Sequence, residues 1–300
     1  PISIILPTQI AIMKKTLNTL LAILLVWPAF LSAQSGKVFD NQIINSKILK
    51  SDRKYSIYLP ADYDASQRSY PVLYLLHGAG GDQANWIDYG DLQQIADQSI
   101  NSGSATPMII VMPDATSGRS GYFNDIRGDW NYEDFFFQEL IPFIEKKYRV
   151  KSIKRSRAIS GLSMGGGGTF MYALRHPELF SAAYPISAYV GPANLEAAKL
   201  RLKADELKLA DSVVEKYYEQ HNAISLINNM PEDQKKAVKW YIDCGDDDYL
   251  EEGNYLALRA MLKKEIPHEF RINDGGHNWT YWRTALPKVL EFVSRAFRAS

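Results

Sequence analysis

Cysteine is almost missing from this chain: Cys244 is the only one in 300 residues. A single thiol excludes an internal disulfide, so stability must come from a large apolar core. Net charge is missing as well. Thirty-four basic residues balance thirty-four acidic ones, and no run of Lys/Arg exceeds two or three residues, so no global field gathers nucleic acid. Long apolar runs are also lacking. The strongest, Leu20 to Phe30, is about half of the ~20 residues a membrane-spanning helix needs. The length fits one large α/β domain or two smaller ones, and because no internal repeat and no low-complexity linker divides the chain, one domain is expected.

The short apolar run has a different reading. Met13-Lys14-Lys15 opens a basic stretch, Leu20 to Phe30 forms the apolar centre, and Leu31-Ser32-Ala33 ends on a small residue before Gln34. These are the three regions of an export signal in order, so residues 1–33 are expected to be a leader cleaved after Ala33. Met13 is the expected start. The mature part, residues 34–300, is then exported to a periplasm or beyond a bacterial cell, with no membrane span. No cysteine near the cleavage point offers a lipid attachment.

From Val38 onward strand and helix patterns alternate. Ser46 to Leu49 and Tyr55 to Leu59 alternate apolar and polar residues and are expected to pair as antiparallel edge strands. Pro71 to Leu76 and Met108 to Met112 are continuous apolar runs, suited to a sheet covered on both faces. Helical patterns follow at 92–100, 133–148, 255–264 and 279–298, with further strands at 182–186, 240–244 and 268–272. That alternation predicts a doubly wound, mostly parallel sheet. Residues 189–237 break the rhythm with a polar, Lys/Glu/Ala-rich helical stretch. It reads as an insertion that either covers the site or lies beside it.

The chemistry concentrates at the C-terminal ends of these strands. Gly161-Leu162-Ser163-Met164-Gly165 fits G-x-S-x-G, the turn that lifts a nucleophilic serine between strand and helix. Glycine two residues either side avoids a clash at a strained backbone. The helix after it, expected from Thr169 to Arg175, points its positive end at the serine. A serine needs a base and the base an orienting carboxylate. His277, after Gly275-Gly276 and before the closing helix, is the expected base. The carboxylate follows the strand ending at Cys244, where Asp246, Asp247 and Asp248 are adjacent and the chemistry alone leaves the choice open. The same acidic turn, with Asp243, Glu251 and Glu252, lacks the spacing of a calcium loop, so no metal and no cofactor is expected. His77-Gly78-Ala79-Gly80-Gly81 follows the first buried strand, as an oxyanion loop does. It designates the N–H groups of Ala79 and Met164 as donors. His77 reads as a loop brace rather than a second base, and is grouped with the candidate substrate-facing residues. Aromatic residues near the mouth complete that group: Trp86, Trp130, Trp279 and Trp282, with Tyr89, Tyr122, Tyr132 and Tyr281 as neighbours. Such rings stack on sugars or aryl acyl groups, or simply fill the core.

Together, His77-Gly78, Gly161-Leu162-Ser163-Met164-Gly165-Gly166, Cys244-Gly245-x-x-Asp248-Tyr249-Leu250 and Gly275-Gly276-His277-Asn278-Trp279 resemble the esterase D-like family of α/β-hydrolases. The likeness extends from about Lys47 to Phe297, including Gln138 to Arg149 before the nucleophile strand. This family includes S-formylglutathione hydrolases, tributyrin, feruloyl and acetylxylan esterases, and mycolyltransferases. The resemblance implies an α/β-hydrolase fold and a serine carboxylesterase. It selects Asp248 as the acid beside Ser163 and His277. An exported chain further suggests acyl-carbohydrate or small aryl or alkyl esters as substrate. Acyl transfer to a sugar hydroxyl and a non-catalytic carbohydrate-binding module are the competing expectations.

Overall fold

The five residues of β3 (Val72–Leu76) are all buried. Their side chains alternate between two separate cores, with Val72, Tyr74 and Leu76 in one and Leu73 and Leu75 in the other. The period-two geometry of a strand thus sends an unbroken apolar run to both faces of one sheet. The computed structural model describes residues 35–116 and 121–299. The leader expected over residues 1–33 lies outside the described residues.

Eight strands form one sheet: β1 (Lys37–Ser46), β2 (Ser51–Leu59), β3, β4 (Ile109–Pro113), β5 (Arg157–Leu162), β6 (Ala182–Ile186), β7 (Lys239–Gly245) and β8 (His268–Asn273). Their spatial order is β1-β2-β4-β3-β5-β6-β7-β8. β2 is antiparallel to both β1 and β4, and every pair from β4 to β8 is parallel. The C-terminal ends of β3, β5, β6, β7 and β8 therefore open onto the same edge of the sheet, where an open α/β sheet places its ligands.

Helices cover both faces. On one lie α1 (Leu92–Asn101) and the closing helix α8 (Trp279–Arg298), which bury Leu92, Ala96, Leu286, Val289 and Val293 in one core with Leu73, Leu75, Ala158 and Tyr184 of the sheet. On the other lie α2 (residues 132–147) and α3 (Met164–Arg175), with Phe136, Ile144, Phe170 and Tyr172. The α2 rod consists of Tyr132–Phe135, a π-helical turn Phe136–Leu140, and Ile141–Lys147. Between β6 and β7 the chain forms α4 (Leu195–Leu202), a short turn Ala204–Leu207, α5 (Asp211–His221) and α6 (Ala223–Asn228). After β7 comes α7 (Glu251–Lys263), which begins four residues before the expected 255, with Glu251 and Glu252 on its positive end.

The first hairpin differs from expectation. Residues 47–50 are a turn rather than a strand, and β1 lies upstream of them. The Glu139 carboxylate of α2 accepts from Ser46 Oγ (2.5 Å), Lys47 N–H (2.9 Å) and Ile48 N–H (3.2 Å). A bend stapled this way turns Ile48 and Leu49 down onto the core, which gives a turn the same apolar signature as a strand.

Candidate active site

Ser163 occupies the single position between β5 and α3, at φ 56° and ψ −114°. A non-glycine residue pays strain there, and surrounding contacts must hold it. Its N–H donates to Ile186 O and its carbonyl accepts from Tyr189 N–H, both at 3.0 Å. The glycines around it answer to close approach. A Cβ on Gly161 would stand 2.7 Å from Gly165 O, and one on Gly165 would stand 2.6 Å from His77 O and 2.7 Å from Leu76 O. The helix starts at Met164 rather than near Thr169, so Gly165 to Gly168 are helical. Four glycines disfavour a helix by about 1 kcal/mol each. They occur because α3 packs directly on the backbone of neighbouring loops, Gly167 on Tyr189 O and Gly166 on Ile186 O.

His277 Nε2 is 2.9 Å from Ser163 Oγ, and His277 Nδ1 is 2.9 and 3.0 Å from the two oxygens of Asp248. The geometry thus singles out one aspartate of the three. Asp248 is 4% exposed. Burial alone would raise its carboxyl, but hydrogen bonds from His277 and Leu250 N–H outweigh burial and hold it below its ordinary value. The other two aspartates shape the loops. Asp246 Oδ1 accepts from Gly275 N–H (3.0 Å) and Asp247 N–H donates to Gly275 O (3.1 Å), lacing the acid turn to the histidine turn. Gly275 has φ 135°, a backbone that glycine tolerates. Asn278 then caps α8 by accepting from Tyr281 N–H at 3.1 Å.

The loop after β3 lies against the nucleophile: a Cβ on Gly78 would stand 3.5 Å from Ser163 Cβ. Ala79 is at its exposed tip and Met164 is the first residue of α3, where an N–H has no partner within the helix. His77 does not face substrate. It is 1% exposed, with Nδ1 2.7 Å from Gly78 O and Nε2 accepting from Ala115 N–H at 2.9 Å. Those partners require a neutral ring protonated on Nδ1, and burial lowers its pKa accordingly. It braces the loop.

The aromatic candidates divide similarly. Trp86 is fully buried and donates to Leu76 O at 3.0 Å. Trp130 is buried, donates to Gly121 O at 2.8 Å and stacks on Tyr132. Trp282 is buried with its ring edge-on to His277 at 5.0 Å. Large rings with a satisfied N–H are efficient core material, and these three are removed from the substrate-facing group. Trp279 remains, half-buried beside the exposed ring of Tyr89.

Sequence reasoning passed over three residues at this site. The Tyr249 ring is 75% exposed and lies 4.5 Å from the His277 ring. The Tyr189 N–H holds the nucleophile's carbonyl, and the Ser187 hydroxyl accepts from Trp282, whose ring stands against His277. Only strand register brings the 186–189 segment here, and no spacing in the sequence announces it. Beside Tyr249, the insertion and α7 flank a groove of about 1220 Å³, lined among others by Tyr189, Asn228, Leu256 and Arg259. The acidic turn also differs from expectation. Asp243 faces away, buried, accepting from the hydroxyls of Tyr184 (2.6 Å) and Tyr281. Exposed Asp246, Asp247 and Asp274 are the carboxylates that converge. No described helix is long and apolar enough to cross a membrane.

A profile of the Esterase family matches residues 46–293. An esterase of Mycobacterium tuberculosis is 38% identical over 47% of this chain and 29% of its own length. The endo-1,4-beta-xylanase/feruloyl esterase of Xylanibacter ruminicola is 30% identical over 79% of this chain and 28% of its own. The chain thus spans less than a third of these curated relatives. Among solved structures, a ferulic acid esterase is 37% identical with a TM-score of 0.77, covering 88% of this chain and 99% of that one. An S-formylglutathione hydrolase from Agrobacterium tumefaciens superposes with a TM-score of 0.71 at 20% identity, covering 89% and 97% of the two chains, and shares the fold. The chain belongs to the Esterase family, as an esterase D-like α/β-hydrolase.

Proposed function

We propose that this esterase works through an acyl-enzyme on Ser163, with His277 as base and Asp248 as its orienting acid. The observation that carries the reading is the unbroken chain Ser163 Oγ–His277 Nε2 and His277 Nδ1–Asp248, with contacts of 2.9–3.0 Å. Ser163 Oγ attacks the ester carbonyl while its proton passes to His277 Nε2. The imidazolium returns that proton to the departing alkoxide, which leaves as the alcohol. His277 then takes a proton from water, whose oxygen attacks the acyl carbon, and Ser163 leaves with the proton restored. Ala79 and Met164 N–H groups hold the oxyanion in both halves.

The substrate is an acyl-carbohydrate or small aryl or alkyl ester, and the mature enzyme is exported. Support for the first comes from the feruloyl esterase relatives and from the open ring pair Tyr89–Trp279 near the site. Support for the second is the leader pattern of residues 1–33. The test is a panel of p-nitrophenyl esters of rising acyl length, methyl ferulate and acetylated xylan, with fluorophosphonate labelling mapped to its residue. Labelling at Ser163 with hydrolysis of the aryl ester is expected. Labelling elsewhere refutes the mechanism. Hydrolysis of short acyl esters alone refutes the aryl part of the substrate reading.

A further inference from the structure

The alcohol half of an ester departs past the histidine, because the His277 imidazolium must hand its proton to the leaving oxygen. The surface beside His277 therefore decides which alcohols fit. Tyr249 forms part of that surface: its ring lies 4.5 Å from the imidazole and is 75% exposed, open to stack on a bound group. Tyr249 also lines the groove of about 1220 Å³ between the insertion and α7. The groove thus adjoins the catalytic histidine.

The walls of that groove suit a polar chain. Glu252, Arg259 and Lys263 of α7 recur at helical spacing and line it together. From Glu252, beside Tyr249, to Lys263 this helix face extends about 16 Å. The insertion adds Asn228 and Asn229, both exposed. Among the described residues neither asparagine side chain has a hydrogen-bond partner, and neither Arg259 nor Lys263 has an acidic one. A free amide both donates and accepts, as sugar hydroxyls do. Toward the far end, two unpaired cations attract an anion. A fatty acyl chain or an apolar peptide would strip water from all four groups and return no hydrogen bond.

We propose that this groove is the alcohol-side subsite of the esterase and that it holds an acidic oligosaccharide. The sugar bearing the ester lies on the Tyr249 ring, hydroxyls further along meet the Asn228 and Asn229 amides, and a uronate carboxylate pairs with Arg259 and Lys263. Tyr249 and Arg259 are then specificity residues, one for a sugar as such and one for its charge. This rests on the reading that the substrates are acyl-carbohydrates.

The test compares kcat/KM on methyl ferulate, on a feruloylated neutral xylo-oligosaccharide, and on the same oligosaccharide carrying a glucuronic acid branch. The neutral sugar chain is expected to raise kcat/KM about tenfold over the methyl ester, and the glucuronate to add about threefold to fivefold, the range of an exposed ion pair. Arg259→Glu should abolish the glucuronate gain and keep the neutral one. Tyr249→Ala should lower the ratio of neutral oligosaccharide to methyl ester, a ratio that a general loss of activity or fold would not move. Equal kcat/KM on all three esters would overturn the proposal, as would a glucuronate gain that survives Arg259→Glu or a sugar preference that survives Tyr249→Ala. Turnover of p-nitrophenyl acetate and methyl ferulate with none of either oligosaccharide ester refutes the acyl-carbohydrate reading itself, and the groove proposal falls with it.

Discussion

Replacing Asp248 with asparagine tests the site at the point where the sequence chemistry was most ambiguous. The carboxylate has no exposed side-chain surface, faces His277 Nδ1 with both oxygens, and also accepts from Leu250 N–H at 2.9 Å. Asparagine keeps the shape but puts an N–H₂ where one oxygen was. Two donors cannot face each other, so either the amide turns or the imidazole changes tautomer and presents an N–H to Ser163 Oγ. In that tautomer His277 cannot accept the serine proton, and no fixed negative charge stabilises the imidazolium. A loss of about 10³ in kcat is expected, or about 4 kcal/mol of barrier at 1.36 kcal/mol per tenfold. The controls are adjacent. Asp246→Asn retains an oxygen to accept Gly275 N–H, and Asp247 contributes a backbone N–H that substitution leaves alone, so each should cost less than about tenfold. Initial rates on p-nitrophenyl acetate, with thermal unfolding to confirm an intact fold, decide the matter. An Asp248→Asn enzyme within tenfold of wild type, or a larger loss at Asp246 or Asp247, would refute the reasoning.

Ser163→Ala should lower kcat by about 10⁴–10⁶ while folding normally, since removal of the nucleophile disables the triad as a unit; stopped assays at high enzyme concentration measure it, and activity within tenfold would remove Ser163 from the mechanism. Gly165→Ala places a methyl 2.6–2.7 Å from two backbone carbonyls, His77 O and Leu76 O, and overpacking of this kind costs about 1–3 kcal/mol; urea unfolding should show it, together with slower turnover from a displaced oxyanion loop. His221, stacked on Tyr217, has its pKa pushed down to about 4, first by burial and then by Arg175. The folded ring stays neutral while the unfolded one charges below about pH 6.5, so stability is full above that pH and falls as pH drops towards 4, by up to about 3 kcal/mol from this residue. His221→Phe should flatten that fall in denaturant titrations at pH 7 and pH 4, and an unchanged difference between the two pH values would refute the assignment.

The sequence by itself determined the sheet and the chain order of the chemical groups. Runs such as Val72–Leu76 declare a strand covered on both faces, because no polar residue interrupts them and the period of two feeds both cores. The spacing of Gly161, Ser163 and Gly165 declares the elbow, because backbone contacts under 3 Å at the flanking glycines leave no room for a Cβ. Local patterns failed where a residue's partner is remote in sequence. Residues 46–49 look like a strand until Glu139, about ninety positions away, staples 47 and 48 into a turn. Trp86, Trp130 and Trp282 carry the composition of a sugar platform, but burial and a fixed acceptor for each N–H make them packing residues. The choice of Asp248 among three neighbours depends on a histidine 29 residues downstream, and resemblance rather than local chemistry had to make it. Ser187 had no signal at all. Its left-handed place at the end of β6, where its N–H donates to Asp243 O and its hydroxyl accepts from Trp282, follows from β6 pairing in parallel with both β5 and β7, which no local pattern in the sequence announces.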